Sequence, residues 1–120
     1  MIHRVQIGGP AHGYFQFERG GGCAGVLTHP SSSPLVITAC GRMDYAPMPN
    51  DVYDAIVHND ILACIFARLL LWTLPHALPR QDQTELGWSQ YMAAWRPGKP
   101  HHEQWADNFK FGWQWATTVL

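Results

Sequence analysis

The sequence predicts a mainly α-helical domain with a small glycine-rich lobe at its N-terminus and little β-structure. Seven of the 11 glycines lie before residue 30, which argues against a long helix in that part of the chain. Beyond residue 30 the chain carries helix-capping residues and prolines placed as helix boundaries instead. An apolar run from Ile61 to Leu74 is long enough for a buried helix and too short to cross a bilayer.

Length and composition limit the classes of protein that fit. A chain of 120 residues fits a single domain, 1–120, with the lobe at 1–30 and the helical part at 31–120. A hydrophobic fraction of 47% and a charged fraction of 14% exclude a disordered chain. A net charge of −1 with eight scattered Lys and Arg argues against a nucleic-acid partner. The N-terminus has no apolar segment typical of a secretion signal, so we expect a cytoplasmic protein without a membrane span.

Capping residues and prolines divide the helical part into five helices. Ser33 before Pro34 predicts one N-cap, Asn50 a second, and Asn59 or Asp60 a third. The sequence Arg96–Pro100 predicts a rigid turn before the last helix. The predicted helices are 34–41, 51–58, 60–73, 83–95 and 101–118.

Apolar spacing predicts which side of each helix faces the core. In the central helix the predicted stripe is Ile61, Ile65, Leu69 and Trp72, widened by Leu62, Phe66 and Leu70. The next helix places Leu86, Tyr91 or Met92, and Trp95 inward. The last helix places Trp105, Phe109, Gly112 or Trp113, and Ala116 inward. Phe111 and Trp115 lie on a different side of that helix, and we expect them to bind a partner if they are exposed.

Within the lobe, Tyr14–Phe17 has the pattern of a short strand or a tight extended segment. The run Gly20–Gly22 predicts a tight turn or flexible hinge. It lacks the Gly-Lys-Ser/Thr ending of a phosphate-binding loop, so we expect no nucleotide there.

Several segments resemble known sequences. Gly9–Gln16 (GPAHGYFQ) resembles the GA-x-GLMQ motif of lysozyme-like lytic transglycosylases. Further segments, taken in order along the chain, resemble phage-encoded lysozyme-like proteins. They are Gln16–Gly22, Gly25–Pro30, Ala67–Thr73 and Trp95–Pro100.

This resemblance implies a lysozyme-like helical fold and a peptidoglycan glycan as ligand. It implies that Gln16 lines a sugar cleft, where Tyr14 and Phe15 could stack on sugar faces. The family's general acid is a glutamate shortly before the motif, and Met1–Gly8 contains neither Glu nor Asp. The sequence therefore looks like a family member without its first helix, and Glu18 is the only carboxyl near the motif that could serve as a catalytic acid.

Each of these side chains also has a purely structural interpretation. Glu18 could pair with Arg19 or Arg4, Gln16 could stabilise a turn, and the two aromatic rings could be core residues. The seven histidines show no metal-binding spacing, so the sequence predicts neither a metal nor another cofactor. A nucleophilic pair of Cys23 with His12 or His29 has no local support, and reduced thiols are expected for all three cysteines.

Three functions from different classes remain open. The first is a phage-type peptidoglycan-directed protein that is catalytically incomplete as a glycosidase or lytic transglycosylase. The second is a phage-encoded binding protein that inhibits a host protein, such as a defence-system component, with a homodimer as a further possibility. The third is a structural or assembly subunit of a virion, which would place the chain in the particle rather than in the host cytoplasm.

Overall fold

The computed structural model describes the backbone of residues 4–119 and the side chains of residues 4–118. It confirms a mainly α-helical class, with 60% helix, 3% strand and no sheet in the part of the chain described. A π-helical segment, Arg19–Cys23, leads directly into the first of six α-helices. These are α1 (Ala24–Thr28), α2 (Ser33–Arg42), α3 (Pro49–Ala55), α4 (Asp60–Trp72), α5 (Thr84–Trp95) and α6 (His102–Val119).

Contacts within the chain divide it into two compact units, one ending at Thr73 and the other beginning at Leu74. The first unit contains the π-helical segment and α1–α4, and the second contains α5 and α6. The single domain expected from the length spans both units and stays a prediction. None of the helices described is long and apolar enough to cross a membrane.

The core of the first unit is built around α4. Its buried side chains are Leu62, Ala63, Phe66 and Ala67. Phe17 is also buried and meets the ring of Phe66 edge to face, with the centroids 6.3 Å apart. Phe17 thus anchors the glycine-rich lobe in this core.

The predicted stripe of α4 is wrong in its main residues, although Leu62 and Phe66, two of the residues expected to widen it, are buried. Ile61 and Trp72 are exposed, and Ile65 and Leu69 are only half-buried. The helix is apolar on both sides, so its periodicity alone cannot decide which of two overlapping stripes faces the core. Packing against α1, α2 and the π-helical segment selects the other one.

Two predicted N-caps, Ser33 and Asn50, are also wrong, because both helices begin earlier than predicted. Pro34 and Pro49 lie in the first turns of these helices. Helix α2 therefore begins at Ser33, one residue before the predicted start at 34, and α3 begins at Pro49, two residues before the predicted start at 51. The Asn50 side chain accepts a hydrogen bond from Arg19 instead of capping α3. The Asn59 cap is confirmed, since its side-chain oxygen accepts from the backbone N–H of Leu62 at 3.0 Å.

The expected turn at Gly20–Gly22 is helical in the structure. Side chains are absent at three successive positions, and the chain forms a π-helical turn there that continues into α1. The Cβ that Gly22 lacks would lie 3.1 Å from the Phe17 ring. The glycine run therefore brings a helix close to a core aromatic rather than forming a hinge.

The second unit is an aromatic helix pair. Trp105 of α6 stacks on Tyr91 of α5 at 5.4 Å and meets Trp88 edge to face at 5.6 Å. The Trp105 indole N–H donates to the Thr84 carbonyl at 2.8 Å. These contacts confirm Trp105 as an inward residue of α6.

The other inward positions of this pair are mostly as expected. Four residues of α6 are half-buried along one stripe, namely Trp105, Phe109, Trp113 and Ala116. Leu86 is an exception, because it is exposed while its neighbour Gly87 occupies the buried position. Gly87 lets the two helices approach closely, since a Cβ there would lie 2.7 Å from the Phe109 ring.

Gly87→Ala should therefore destabilise the helix pair by about 1–3 kcal/mol, because the added methyl overlaps two rings. Gly112→Ala is the matched control, since a Cβ at Gly112 meets open space. Because alanine favours a helix more than glycine does, that variant should be about 1 kcal/mol more stable than the parent. Urea denaturation followed by circular dichroism measures both. Equal gains in stability in the two variants would contradict the packing of α6 on Gly87.

Candidate functional site

The residues proposed to bind sugar lie on one tight turn. His12 and Phe17 exchange two backbone hydrogen bonds, each 2.8 Å long, and enclose the residues Gly13–Gln16, hereafter the site turn. Neither the short strand nor the tight extended segment expected over Tyr14–Phe17 is found, because the chain reverses direction there. Gly13 and Gln16 both have left-handed backbone conformations, with φ of 78° and 55°.

A close approach to α3 holds the site turn in place. Gly13 is buried, and a Cβ there would lie 2.6 Å from the carbonyl oxygen of Ile56, just past the end of α3. Its backbone N–H also donates to the Arg4 carbonyl at 2.5 Å. Only glycine satisfies both this contact and the positive φ.

His12 and Tyr53 form a second attachment between the lobe and α3. Their rings stack with centroids 3.5 Å apart and planes 7° from parallel. The His12 Nδ1–H donates to the Tyr53 carbonyl at 2.9 Å, and the Tyr53 hydroxyl donates to the Pro10 carbonyl at 2.5 Å. The stack and these two hydrogen bonds together hold the start of the turn against α3.

Gln16 supports the turn from within. Its side-chain amide donates to the Gly13 carbonyl at 3.0 Å, and its backbone N–H reaches the same oxygen at 3.1 Å. This is the turn-stabilising contact that the sequence left open as an alternative to sugar binding.

The two aromatic residues of the site turn differ in exposure. Tyr14 is 52% exposed at the tip, whereas Phe15 is half-buried beneath it. Their rings meet at 5.2 Å with an interplanar angle of 62°. Phe15 therefore supports the Tyr14 ring from one edge, and Tyr14 presents an aromatic surface to solvent.

Glu18 follows the site turn with an exposed side chain. Its two expected cationic partners make other contacts. Arg4 forms a paired hydrogen bond with Asp60, which lowers the pKa of that carboxyl from its usual value. Within the part of the chain described, no ion pair involves Glu18.

The environment of the carboxyl groups bears directly on acid catalysis. All nine Asp and Glu side chains lie among the described residues, and all nine are exposed. Where their pKa is shifted it is lowered, as in Asp60 and in Glu103, which receives a backbone hydrogen bond at the start of α6. None has the apolar surround that keeps a glycosidase acid protonated.

Sequence reasoning missed three residues beside the site turn. The Arg19 guanidinium lies 5.6 Å from the centre of the Tyr53 ring and donates to the Asn50 side chain at 3.0 Å. The sequence predicts Asn50 as a helix cap and offers Arg19 as one possible partner of Glu18. Tyr53 carried no local signal, because its role depends on a contact 41 residues away along the chain.

The structure does not support nucleophilic chemistry at Cys23. Its side chain is fully buried, and burial raises the pKa of the thiol to about 12. The thiolate that a nucleophile requires is therefore strongly disfavoured. Among the side chains described, no three His, Cys, Asp or Glu residues are arranged to hold a metal ion.

Two further surface features contain none of the residues of the site turn. Phe111 and Trp115, the α6 face, are 69% and 54% exposed. An open cleft of about 480 Å³ adjoins the start of α4. Its lining residues are Tyr45, Ala55, His58, Asn59, Asp60 and Ile61.

No protein-family model matches the chain, and neither a curated protein nor a solved structure was found to be similar to it.

Gly13→Ala should destabilise the protein by at least about 2 kcal/mol, because the added methyl meets a backbone oxygen and the φ is unfavourable. Gly41→Ala in α2 is the control, since a Cβ there meets open space. This variant should have a free energy of unfolding about 0.5–1 kcal/mol higher than that of the parent. Thermal unfolding compares the two. A Gly13→Ala protein as stable as the parent would mean that the site turn is not held against Ile56.

Proposed function

We propose that this is a phage-type, peptidoglycan-directed lysozyme-like protein that binds glycan through the site turn without cleaving it. The observation that carries the proposal is the exposed Tyr14 ring on a turn held by three contacts. These are Gly13 with Ile56, His12 with Tyr53, and Gln16 with Gly13. The resemblance of Gly9–Gln16 to the transglycosylase motif supplies the class of ligand. A preformed turn loses little conformational entropy when a ligand binds.

The groups around Tyr14 suit a sugar. An exposed aromatic ring can pack against the apolar face of a pyranose, and amide and guanidinium groups can bind its hydroxyl and acetamido groups. Gln16, whose amide also donates to the Gly13 carbonyl, provides such a group on the turn. Arg19 and Asn50, which bind each other, provide two more beside it. Phe15 limits the freedom of the Tyr14 ring.

The same environment supports binding rather than hydrolysis. Cleavage of a glycosidic bond needs a protonated carboxyl near neutral pH, usually kept neutral by an apolar pocket. All nine acidic side chains of this chain are exposed to water. Glu18, the one acidic residue near the motif, is among them.

Tyr14→Ala should weaken binding to purified sacculi roughly tenfold, the equivalent of one lost stacking contact. Phe111→Ala, which removes another exposed aromatic ring, should leave it unchanged. Co-sedimentation with sacculi at several protein concentrations gives both affinities. Equal affinities of the two variants would contradict a sugar site at the turn.

Release of glycan fragments by the purified protein tests the second half of the proposal. We expect none above a buffer control. Cleavage that Glu18→Gln abolishes would make Glu18 the catalytic acid and overturn the non-hydrolytic assignment.

A second candidate function rests on the α6 face. Two large aromatic side chains four residues apart, both more than half exposed, are typical anchors of a protein interface. They favour a binding protein that inhibits a host protein. This function needs neither Tyr14 nor any carboxyl.

Replacing Phe111 and Trp115 together by Ser should abolish co-purification of a host protein, because hot-spot aromatics supply most of the binding energy. Tyr14→Ala is the control and should retain the partner. Circular dichroism should show α6 intact in both variants. Retention of the partner by the double variant would exclude the α6 face as its binding site.

A further inference from the structure

One side of α4 remains apolar and open to solvent. Ile61 is 67% exposed and Trp72 52%, and Cys64 and Arg68 between them are exposed as well. Steps of three and four residues place these side chains on one stripe of the helix, the outer face of α4. It lies opposite the buried stripe that contains Phe66. The outer face of α4 thus presents two large apolar side chains, Ile61 and Trp72, with Cys64 and the charged Arg68 between them.

Charge is arranged symmetrically along this side. Asp60 and Arg68 stand four residues before and four residues after Cys64, on the same side of the helix. The Arg68 guanidinium lies 5.6 Å from the centre of the Trp72 ring. The Asp60 carboxylate binds Arg4 and can accept further hydrogen bonds, since a carboxylate offers about four acceptor positions.

We propose that a second copy of this chain covers the outer face of α4, with the two helices antiparallel and a two-fold axis near Cys64. This arrangement places Arg68 of each copy opposite Asp60 of the other, so that two ion pairs form. Ile61 of each copy then packs beside the aliphatic part of Arg68 in the other copy. A two-fold interface has to be self-complementary, and the charge pattern about Cys64 meets that condition.

The charge pattern selects this occupant. A partner of uniform charge, such as an anionic membrane surface, would attract Arg68 but would leave the Asp60–Arg4 ion pair without a charged partner. A parallel helix pair would bring like charges together. Of the two symmetric helix pairs, the antiparallel one pairs both charges and buries the exposed Ile61.

The first test is the mass of the protein in solution. Light scattering at about 100 µM, where a dimer of micromolar Kd is almost complete, should give twice the mass of the chain. Ile61→Glu should weaken the dimer at least tenfold by placing a charge in the contact. Phe111→Glu is the matched control on another exposed helical position and should remain dimeric.

A charge exchange tests the pairing itself. Arg68→Glu or Asp60→Arg alone places like charges opposite each other twice and should weaken the homodimer about tenfold. A mixture of the two variants restores both opposite-charge contacts and should form a heterodimer. Failure of the mixture to associate, while both variants stay folded, would overturn the antiparallel register.

Cys64 reports the position of the axis. A short bismaleimide should join two chains through Cys64, and Cys64→Ser should prevent it. Cys23 and Cys40 are buried and should react only after unfolding. A monomer at 100 µM, a dimer lost on Phe111→Glu but kept on Ile61→Glu, or absence of the Cys64 product would each refute the proposal.

Discussion

The close approach of Gly13 to the end of α3 is the constraint on which the rest of the lobe depends. A missing side chain lets the backbone reach within contact of the Ile56 carbonyl, and the positive φ turns the chain back on itself there. The stack of His12 on Tyr53 and the buried ring of Phe17 flank the turn on its two sides in the sequence and hold the same position. Because contacts with Tyr53 and Ile56 hold the turn, the Tyr14 side chain is exposed to solvent instead of being buried.

Much of the helical part could be predicted from local sequence. Helix α4 begins with a side-chain cap that Asn59 makes to a residue three positions on, a contact that sequence spacing encodes directly. The aromatic stripe of α6 was also predictable, because its residues recur at the three- and four-residue spacing of a helix. The buried side of α4 was not, since both sides are apolar and only tertiary packing distinguishes Leu62 from Ile61.

The candidate site was less predictable than the fold. The motif segment drew attention to Tyr14, Phe15 and Gln16, but its spacing could not show which of them is exposed. That outcome depends on Tyr53 and Ile56, which lie some 40 residues away in the chain. Glycine propensity also argued against a helix at Gly20–Gly22, where Gly22 packs closely on the Phe17 ring. Packing contacts overrode local preference in both cases, over some 40 residues at the site turn and over five residues at Gly22.

The exposed apolar surfaces and the low charge of the chain have a common consequence. With 47% hydrophobic and only 14% charged residues, polar side chains cannot cover every helix, and aromatic or branched residues remain at the surface. Scattered single residues would need no explanation. Ile61 and Trp72 instead share one stripe of α4, and Phe111 and Trp115 share one side of α6. Removing apolar surface from water lowers the free energy. Contact with a partner at either stripe is therefore favoured over exposure to water.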